Sequence, residues 1–321
     1  MRNSHEKAGR PILALAPMAG VTDSAFRQIC KSFGADVVYS EMASATALSY
    51  APEKTLEMLR FSEAERPYIV QLFGSVPEHF VKAIKTLSGF QSHLVSFLEP
   101  DGIDINFGCP VKKVAKQGAG AVLMNNLKLA REIIKSVIGH TDLPVSIKAR
   151  SKVGQVDILK FLDKVSDLKV EAVMIHGRSL DQGFSGPINT EIIKKARDYF
   201  KGIILANGGV KSYEDGMEIL IKTKADGLGM ARGSLGRPWI FKALRTGQSV
   251  ERTPKAIFKV ALKHAELTIK IKGKSAGLRR QAIIEMRKHL CWYVQGLPGA
   301  RKMRTELVKV NNINEIRKIL K

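Results

Sequence analysis

The sequence predicts a (β/α)₈ barrel followed by a small all-helical domain, and three observations predict it. Eight short apolar segments recur along the first 250 residues, at 12–17, 37–41, 68–73, 102–107, 145–149, 172–176, 203–206 and 226–230. They are near-continuously apolar and rich in Ile, Val and Leu, as strands buried on both faces are. Helical-period segments separate them, at 23–33, 77–87, 127–138, 157–165 and 213–221 among others. Beyond about residue 253 the strand patterns stop. Eight strands with intervening helices over about 240 residues fit a closed parallel barrel. A doubly wound open sheet would carry a glycine-rich dinucleotide turn after its first strand. Pro17-Met18-Ala19-Gly20 is not that turn.

In the last part of the chain, Ile257, Ala261, His264, Thr268 and Ile271 share one helical stripe. Ile283, Met286, Leu290 and Val294 form a second, and Leu307, Val310, Ile313 and Ile316 a third. Gly296-Leu297-Pro298-Gly299 separates the second from the third. The expected division is a barrel over residues 1–250 and a helical domain over 251–321.

Charge sharpens that division. The chain of 321 residues carries a formal charge of +22. Residues 251–321 hold 18 Lys and Arg against 5 Asp and Glu, a net of +13. A basic face can simply be solvated, but this density points to a polyanion, and nucleic acid is the commonest one. No aromatic-rich amphipathic anchor for an acidic membrane accompanies it. No run approaches the roughly 18 apolar residues of a membrane helix. Two prolines interrupt the apolar run 11–20, which argues against a signal peptide. Cys30, Cys109 and Cys291 are an odd, widely spaced set, which fits a reducing compartment better than a disulfide framework. No cysteine or histidine cluster of metal-binding spacing is present.

Residues just past the C-terminal ends of barrel strands converge on one mouth. Here they are Pro17, Met18 and Ala19, then Glu41, Gln71, Asn106, Cys109, Lys148, Arg150, His176 and Arg178. Asn207-Gly208-Gly209 and Ala231-Arg232-Gly233 complete the set after the last two strands. Glycines after strands seven and eight, each expected just before a helix, make a phosphate cradle from bare N–H groups and helix N-termini, to which Arg232 can add a charge-assisted bond. Glycine in either loop alone could serve only a tight turn. Lys148 interrupts an apolar strand, and a lysine aimed into the mouth needs an anionic partner. A Schiff-base lysine and a cation beside a reduced flavin both fit it. The Gln71 amide can read the donor and acceptor edge of a pyrimidine ring. His176 alone would pass for a core histidine, but beside Arg178 it becomes a candidate ligand contact.

Asp104-Ile105-Asn106-Phe107-Gly108-Cys109-Pro110 ends a strand on a cysteine stiffened by the following proline. A lone cysteine is usually a small buried hydrophobe. This one gains weight from the lysine- and glycine-rich loop 111–120 behind it. That loop reads as a lid, with Lys112, Lys113 and Lys116 near phosphate.

With these residues in order, the sequence resembles the tRNA-dihydrouridine synthases, and more closely their bacterial B-type branch. The resemblance runs through Leu15-Ala16-Pro17-Met18-Ala19-Gly20-Val21-Thr22-Asp23, Ser40-Glu41-Met42 and Val70-Gln71-Leu72-Phe73-Gly74. It continues through Asn106-Phe107-Gly108-Cys109-Pro110, Gly118-Ala119-Gly120 and Ile175-His176-Gly177-Arg178. Asn207-Gly208-Gly209, Ala231-Arg232-Gly233 and Pro238-Trp239-Ile240-Phe241 follow, and then Met286-Arg287-Lys288-His289-Leu290 with Tyr293. Two positions depart from the family pattern. Gly209 stands where aspartate is usual, and Ala231 where glycine is.

The resemblance implies FMN in the mouth, NADPH as reductant and tRNA held by the basic helices. It implies a cytoplasmic monomer with no metal and no membrane partner. Cofactor contacts are expected from Pro17, Met18, Ala19, Gln71, Lys148, His176, Asn207, Gly208, Gly209, Ala231 and Arg232. Asn106, Arg150 and Arg178 are expected to hold the uracil and its phosphate. Reduced FMN is expected to give a hydride to C6, and Cys109 to protonate C5 from the other face. An acid must be a thiol, and free cysteine, with a pKa of about 8.5, is mostly protonated at neutral pH. Lys148 would sit where negative charge gathers on the reduced flavin. Removing residues beyond about 255 is expected to spare FMN binding and weaken tRNA binding. A dihydroorotate dehydrogenase-like flavin barrel is the nearest rival enzyme, and a non-catalytic tRNA-binding barrel the rival of another class.

Overall fold

The computed structural model describes residues 9–89, 99–248 and 252–321. The expected boundary between residues 250 and 251 falls outside them. Eight parallel strands form a closed ring: β1 (Ile12–Leu15), β2 (Val37–Tyr39), β3 (Tyr68–Phe73), β4 (Gly102–Phe107), β5 (Val145–Arg150), β6 (Ala172–His176), β7 (Ile203–Asn207) and β8 (Gly227–Met230). Each pairs with its sequence neighbours, and β8 pairs with β1 to close the barrel. A short strand, Ala43–Ser44, adds to the end of β3, and an antiparallel pair, Lys152–Val153 with Val156–Asp157, follows β5.

All eight strand expectations are met, with shifts at the ends. The first stops at Leu15, because Pro17 has no N–H to continue the ladder. The second stops at Tyr39, after which the Ser40 hydroxyl accepts from the Gln71 N–H. The fifth and seventh run one residue further, where Arg150 and Asn207 both lie opposite His176. Register then fixes the mouth: Gln71 lies opposite Asp104, Asp104 opposite Ser146, and Asn106 opposite Lys148.

Helix Ser24–Ser32 is capped by Asp23, whose carboxylate accepts from the Phe26 N–H at 3.0 Å. Short helices at Ala45–Tyr50, Glu53–Leu59, Thr190–Lys195 and Ile240–Thr246 were not among the predicted segments. They span two turns or less, too little for a periodic signal. The C-terminal part contains Pro254–Lys272, Ala276–Tyr293, Ala300–Leu307 and Ile313–Ile319. The third predicted stripe therefore spans two helices, not one. Asn312 starts the last of them by accepting from the Glu315 N–H at 3.1 Å. Gly296 and Gly299 make the expected break, at φ +84° and +72°.

These helices have their own apolar cluster, built on Ile283, Met286, Leu290, Leu307 and Ile316, and it takes in Ile29 of the barrel. Phe26 of the barrel packs against His264 and His289, with ring centroids 5.6 and 5.2 Å apart. Lys272 bridges Asp23 at 2.7 Å and Glu285 at 2.8 Å. Gly236, at φ +66°, lies so close to the Trp292 carbonyl that a Cβ would come within 2.3 Å of it. Truncation near residue 255 would uncover Phe26 and Ile29, so it is no clean test of tRNA binding. Among the described residues, no helix is long and apolar enough to cross a membrane.

Candidate active site

A cavity of about 810 Å³ opens at the C-terminal ends of the strands. The residues expected to contact cofactor or substrate all line it: Cys109, Pro17, Met18, Ala19, Gln71, Lys148, His176, Asn207, Gly208, Gly209, Ala231, Arg232, Asn106, Arg150 and Arg178. Lys211 and Arg237 add two more basic side chains, and no carboxylate lines the cavity among the described residues. An opening with that charge favours an anionic, electron-rich guest.

Cys109 is 8% exposed. The Asn106 side-chain oxygen accepts from the Gly108 N–H at 3.0 Å and the Cys109 N–H at 2.9 Å. The Ala121 N–H donates to the Cys109 carbonyl at 3.0 Å. Gly120, at φ +69°, allows this return, since a Cβ there would lie 2.9 Å from that carbonyl. Burial raises the thiol pKa, while the charges of Arg150 and Lys148 oppose the shift. The group is therefore suited to giving a proton, whereas a cysteine nucleophile needs its pKa lowered.

Lys148 lies across from Asn106. Burial and the Arg150 charge pull its pKa down to about 8, against the pull of Asp104. His176 is pushed well below its ordinary range by burial first, then by Lys148, Arg150, Arg178 and Arg232. It is a neutral imidazole among four cations.

The three arginines are committed to different degrees. Arg150 donates to the carbonyls of Gly108, Ser179 and Gly183 at 3.0, 2.8 and 3.0 Å. It ties the cysteine turn to the loop after β6. Arg178 uses only its Nε, on the carbonyls of Ser185 and Gly186. Among the described residues its terminal nitrogens donate to no protein acceptor, so it offers a freer fork than Arg150. Arg232 is exposed and stacks over Phe184, 4.2 Å from the ring centroid.

The glycine loops after β7 and β8 lie side by side at the mouth. Gly208 has φ +103°, and a Cβ there would lie 2.8 Å from the His176 ring. Asn207 donates to the Gly229 carbonyl at 2.6 Å, tying β7 to β8. Gly209, at φ +81°, sits in a left-handed conformation where the usual aspartate would be strained. The β8 loop runs straight into a 3₁₀ turn, Arg232–Ser234, but the next α-helices start only at Tyr213 and Ile240.

Glu41 is the expected mouth residue that lies elsewhere. Its carboxylate accepts from the Gly20 N–H and lines a separate pocket with Asp23, Lys272 and Glu285. The early end of β2 turns it that way. The loop 111–120 is also tighter than a flexible lid. It holds a helical turn, Lys112–Ala115, with Val114 and Ala119 buried. Closing motion would have to break those contacts, although Lys112, Lys113 and Lys116 are exposed.

Phe184, Trp292 and Gln295 line the cavity without having been singled out in the sequence. Phe184 is 55% exposed between Gly183 and Gly186, and an aromatic so framed was the available signal. Trp292 and Gln295 come from the basic helical part, so that part completes the opening.

A family model described as dihydrouridine synthase matches residues 14–321. A probable tRNA-dihydrouridine synthase of Aquifex aeolicus is 32% identical over 305 residues, covering 94% of this chain and 92% of that one. The tRNA-dihydrouridine synthase B of Pseudomonas aeruginosa is 32% identical over 311 residues, covering 94% and 89%. Among solved structures, an old yellow enzyme homologue from Zymomonas mobilis superposes with a TM-score of 0.52 at 13% identity, covering 77% of this chain and 92% of that one. At that identity the likeness supports the barrel alone.

Proposed function

The chain belongs to the dihydrouridine synthase family, and on that premise we propose that it reduces a uridine of tRNA to 5,6-dihydrouridine with FMN and NADPH. The observation that carries this reading is the one cavity that brings the Cys109 thiol together with a glycine cradle and charged side chains that are all cationic. The residues fit FMN. The cradle at Gly208 has no room for a Cβ, and Gly209 beside it has the left-handed backbone of an anion-binding turn. Gly208, Gly209, Ala231 and Arg232 would hold the phosphate. Pro17, Met18, Ala19, Gln71, Lys148, His176 and Asn207 would surround the ring system. When bound and reduced, FMN supplies the hydride for C6 of the uracil.

The chain's own residues do the rest. Cys109 delivers a proton to C5, and burial keeps that proton on sulfur at neutral pH. Lys148 places a positive charge where electron density gathers before the hydride leaves. Arg178 holds the uracil and adjacent phosphate, while Asn106, expected on the base but with its amide bonded to Gln71 and the Cys109 turn, joins Arg150 in holding that turn. The uridine must leave its stack to enter, which costs a few kcal/mol. Exposed Arg279, Arg280, Arg301, Lys302 and Arg304 supply phosphate contacts that offset this cost. We place the tRNA-binding part beyond residue 251, and read the protein as a cytoplasmic monomer.

The test is direct. Purified protein should be yellow, and with NADPH and unmodified tRNA it should form dihydrouridine detectable in tRNA digests. A colourless protein that binds tRNA would favour the non-catalytic reading. Turnover of dihydroorotate without dihydrouridine formation would favour the other flavin barrel.

A further inference from the structure

We propose that Asp104 is a positioning residue for Cys109, acting through a hydrogen-bond chain of fixed direction. The chain crosses three neighbouring strands. Ser146 Oγ donates to Asp104 Oδ1 at 2.6 Å, and Gln71 Nε2 donates to Asp104 Oδ2 at 2.7 Å. Asn106 Nδ2 donates to Gln71 Oε1 at 2.8 Å, and Asn106 Oδ1 receives the Gly108 and Cys109 N–H groups. Nothing in the sequence marks this link, because it exists only in the register of β3, β4 and β5.

Both ends of the chain fix its direction. A carboxylate only accepts, and a backbone N–H only donates. Gln71 must therefore turn its nitrogen toward Asp104 and its oxygen toward Asn106. Asn106 must then turn its oxygen toward the Cys109 turn. Asp104 is fully buried, Gln71 is 1% exposed and Asn106 is 7% exposed, so water does not readily replace a lost partner. Burial raises the Asp104 pKa to about 6, against the Ser146 and Gln71 bonds and the charge of Lys148, which leaves the group mainly ionised at neutral pH. On the opposite side the Ala121 N–H holds the Cys109 carbonyl and Arg150 holds the Gly108 carbonyl, but neither reaches the two N–H groups of the turn. If the acceptor at Asp104 is removed, Gln71 and Asn106 can rotate, and the N–H groups of the turn lose their anchor.

This inference rests on the proposed function for its activity readout alone. The experiment compares D104A and D104N holoenzymes with wild type. One readout is kcat and KM for tRNA. The other is iodoacetamide labelling of Cys109 relative to Cys291, measured by peptide mass spectrometry. D104A should lower kcat about 10- to 100-fold, with KM within about threefold, because a displacement near 1 Å has that cost. Its Cys109 labelling ratio should change by about fivefold or more. D104N keeps an oxygen for Gln71 once the Ser146 hydroxyl turns to accept, so it should stay within about threefold of wild type on both readouts. Wild-type behaviour of D104A would overturn the proposal. So would a D104N variant as impaired as D104A, since charge beside Lys148 would then be the operative property. Should D104A fail to fold, Q71M breaks the chain at its middle link, and an unchanged labelling ratio there would overturn it equally. A wild-type protein that forms no dihydrouridine refutes the functional reading, and the labelling ratio still decides this one.

Discussion

Replacing Cys109 with alanine is expected to leave NADPH bleaching of the flavin intact while dihydrouridine formation falls by about 10²- to 10⁴-fold, the range that a positioned acid contributes. The two half-reactions separate because the thiol is needed only for the second. No other described cysteine can substitute: Cys30 is fully buried in the barrel core, and Cys291 lies among the C-terminal helices. The pH dependence has a definite sign. A proton donor works only while protonated, so the wild-type rate should fall as pH rises through the thiol pKa. Burial moves that pKa upward, so the fall belongs on the alkaline side of the ordinary cysteine value. A C109A protein should lose that limb, which a stopped-flow pH series measures.

Gly208→Ala should abolish yellow colour in the purified protein and weaken FMN binding by about 100-fold or more, equivalent to roughly 3 kcal/mol. Its backbone lies at φ +103°, where any side chain is strained, and the added Cβ would meet His176 at 2.8 Å and Ile188 at 3.0 Å. Relief requires moving the loop off the cradle or moving His176 out of the cavity wall. Either change removes a cofactor contact. Titration of FMN fluorescence against wild type and variant measures the difference. Retained stoichiometric FMN would move the phosphate site away from the β7 loop.

The barrel was legible because each strand is buried on both faces and so reads as an apolar run. The mouth was legible because its polar residues follow those runs at once: Lys148, Asn106 and the paired glycines stand where apolar character stops. Glu41 was misplaced for the same reason. The segment 37–41 carries two polar residues, Ser40 and Glu41, past the end of the strand at Tyr39, and the carboxylate turns to Gly20. Asp104 could not be read as part of a relay, since Gln71 and Ser146 are its neighbours only through register. Trp292 and Gln295 reach the cavity only because Phe26 and Ile29 dock the helical part beside it. Docking geometry of that kind leaves no periodic trace in either partner.

The most direct measurement is a crystal structure of the protein with FMN bound. The FMN phosphate should rest on Gly208, Gly209 and Arg232, with Lys148 beside the ring system and the Cys109 sulfur facing the same opening. Phosphate density away from the β7 and β8 loops, or a Cys109 sulfur turned out of that opening, would contradict the account.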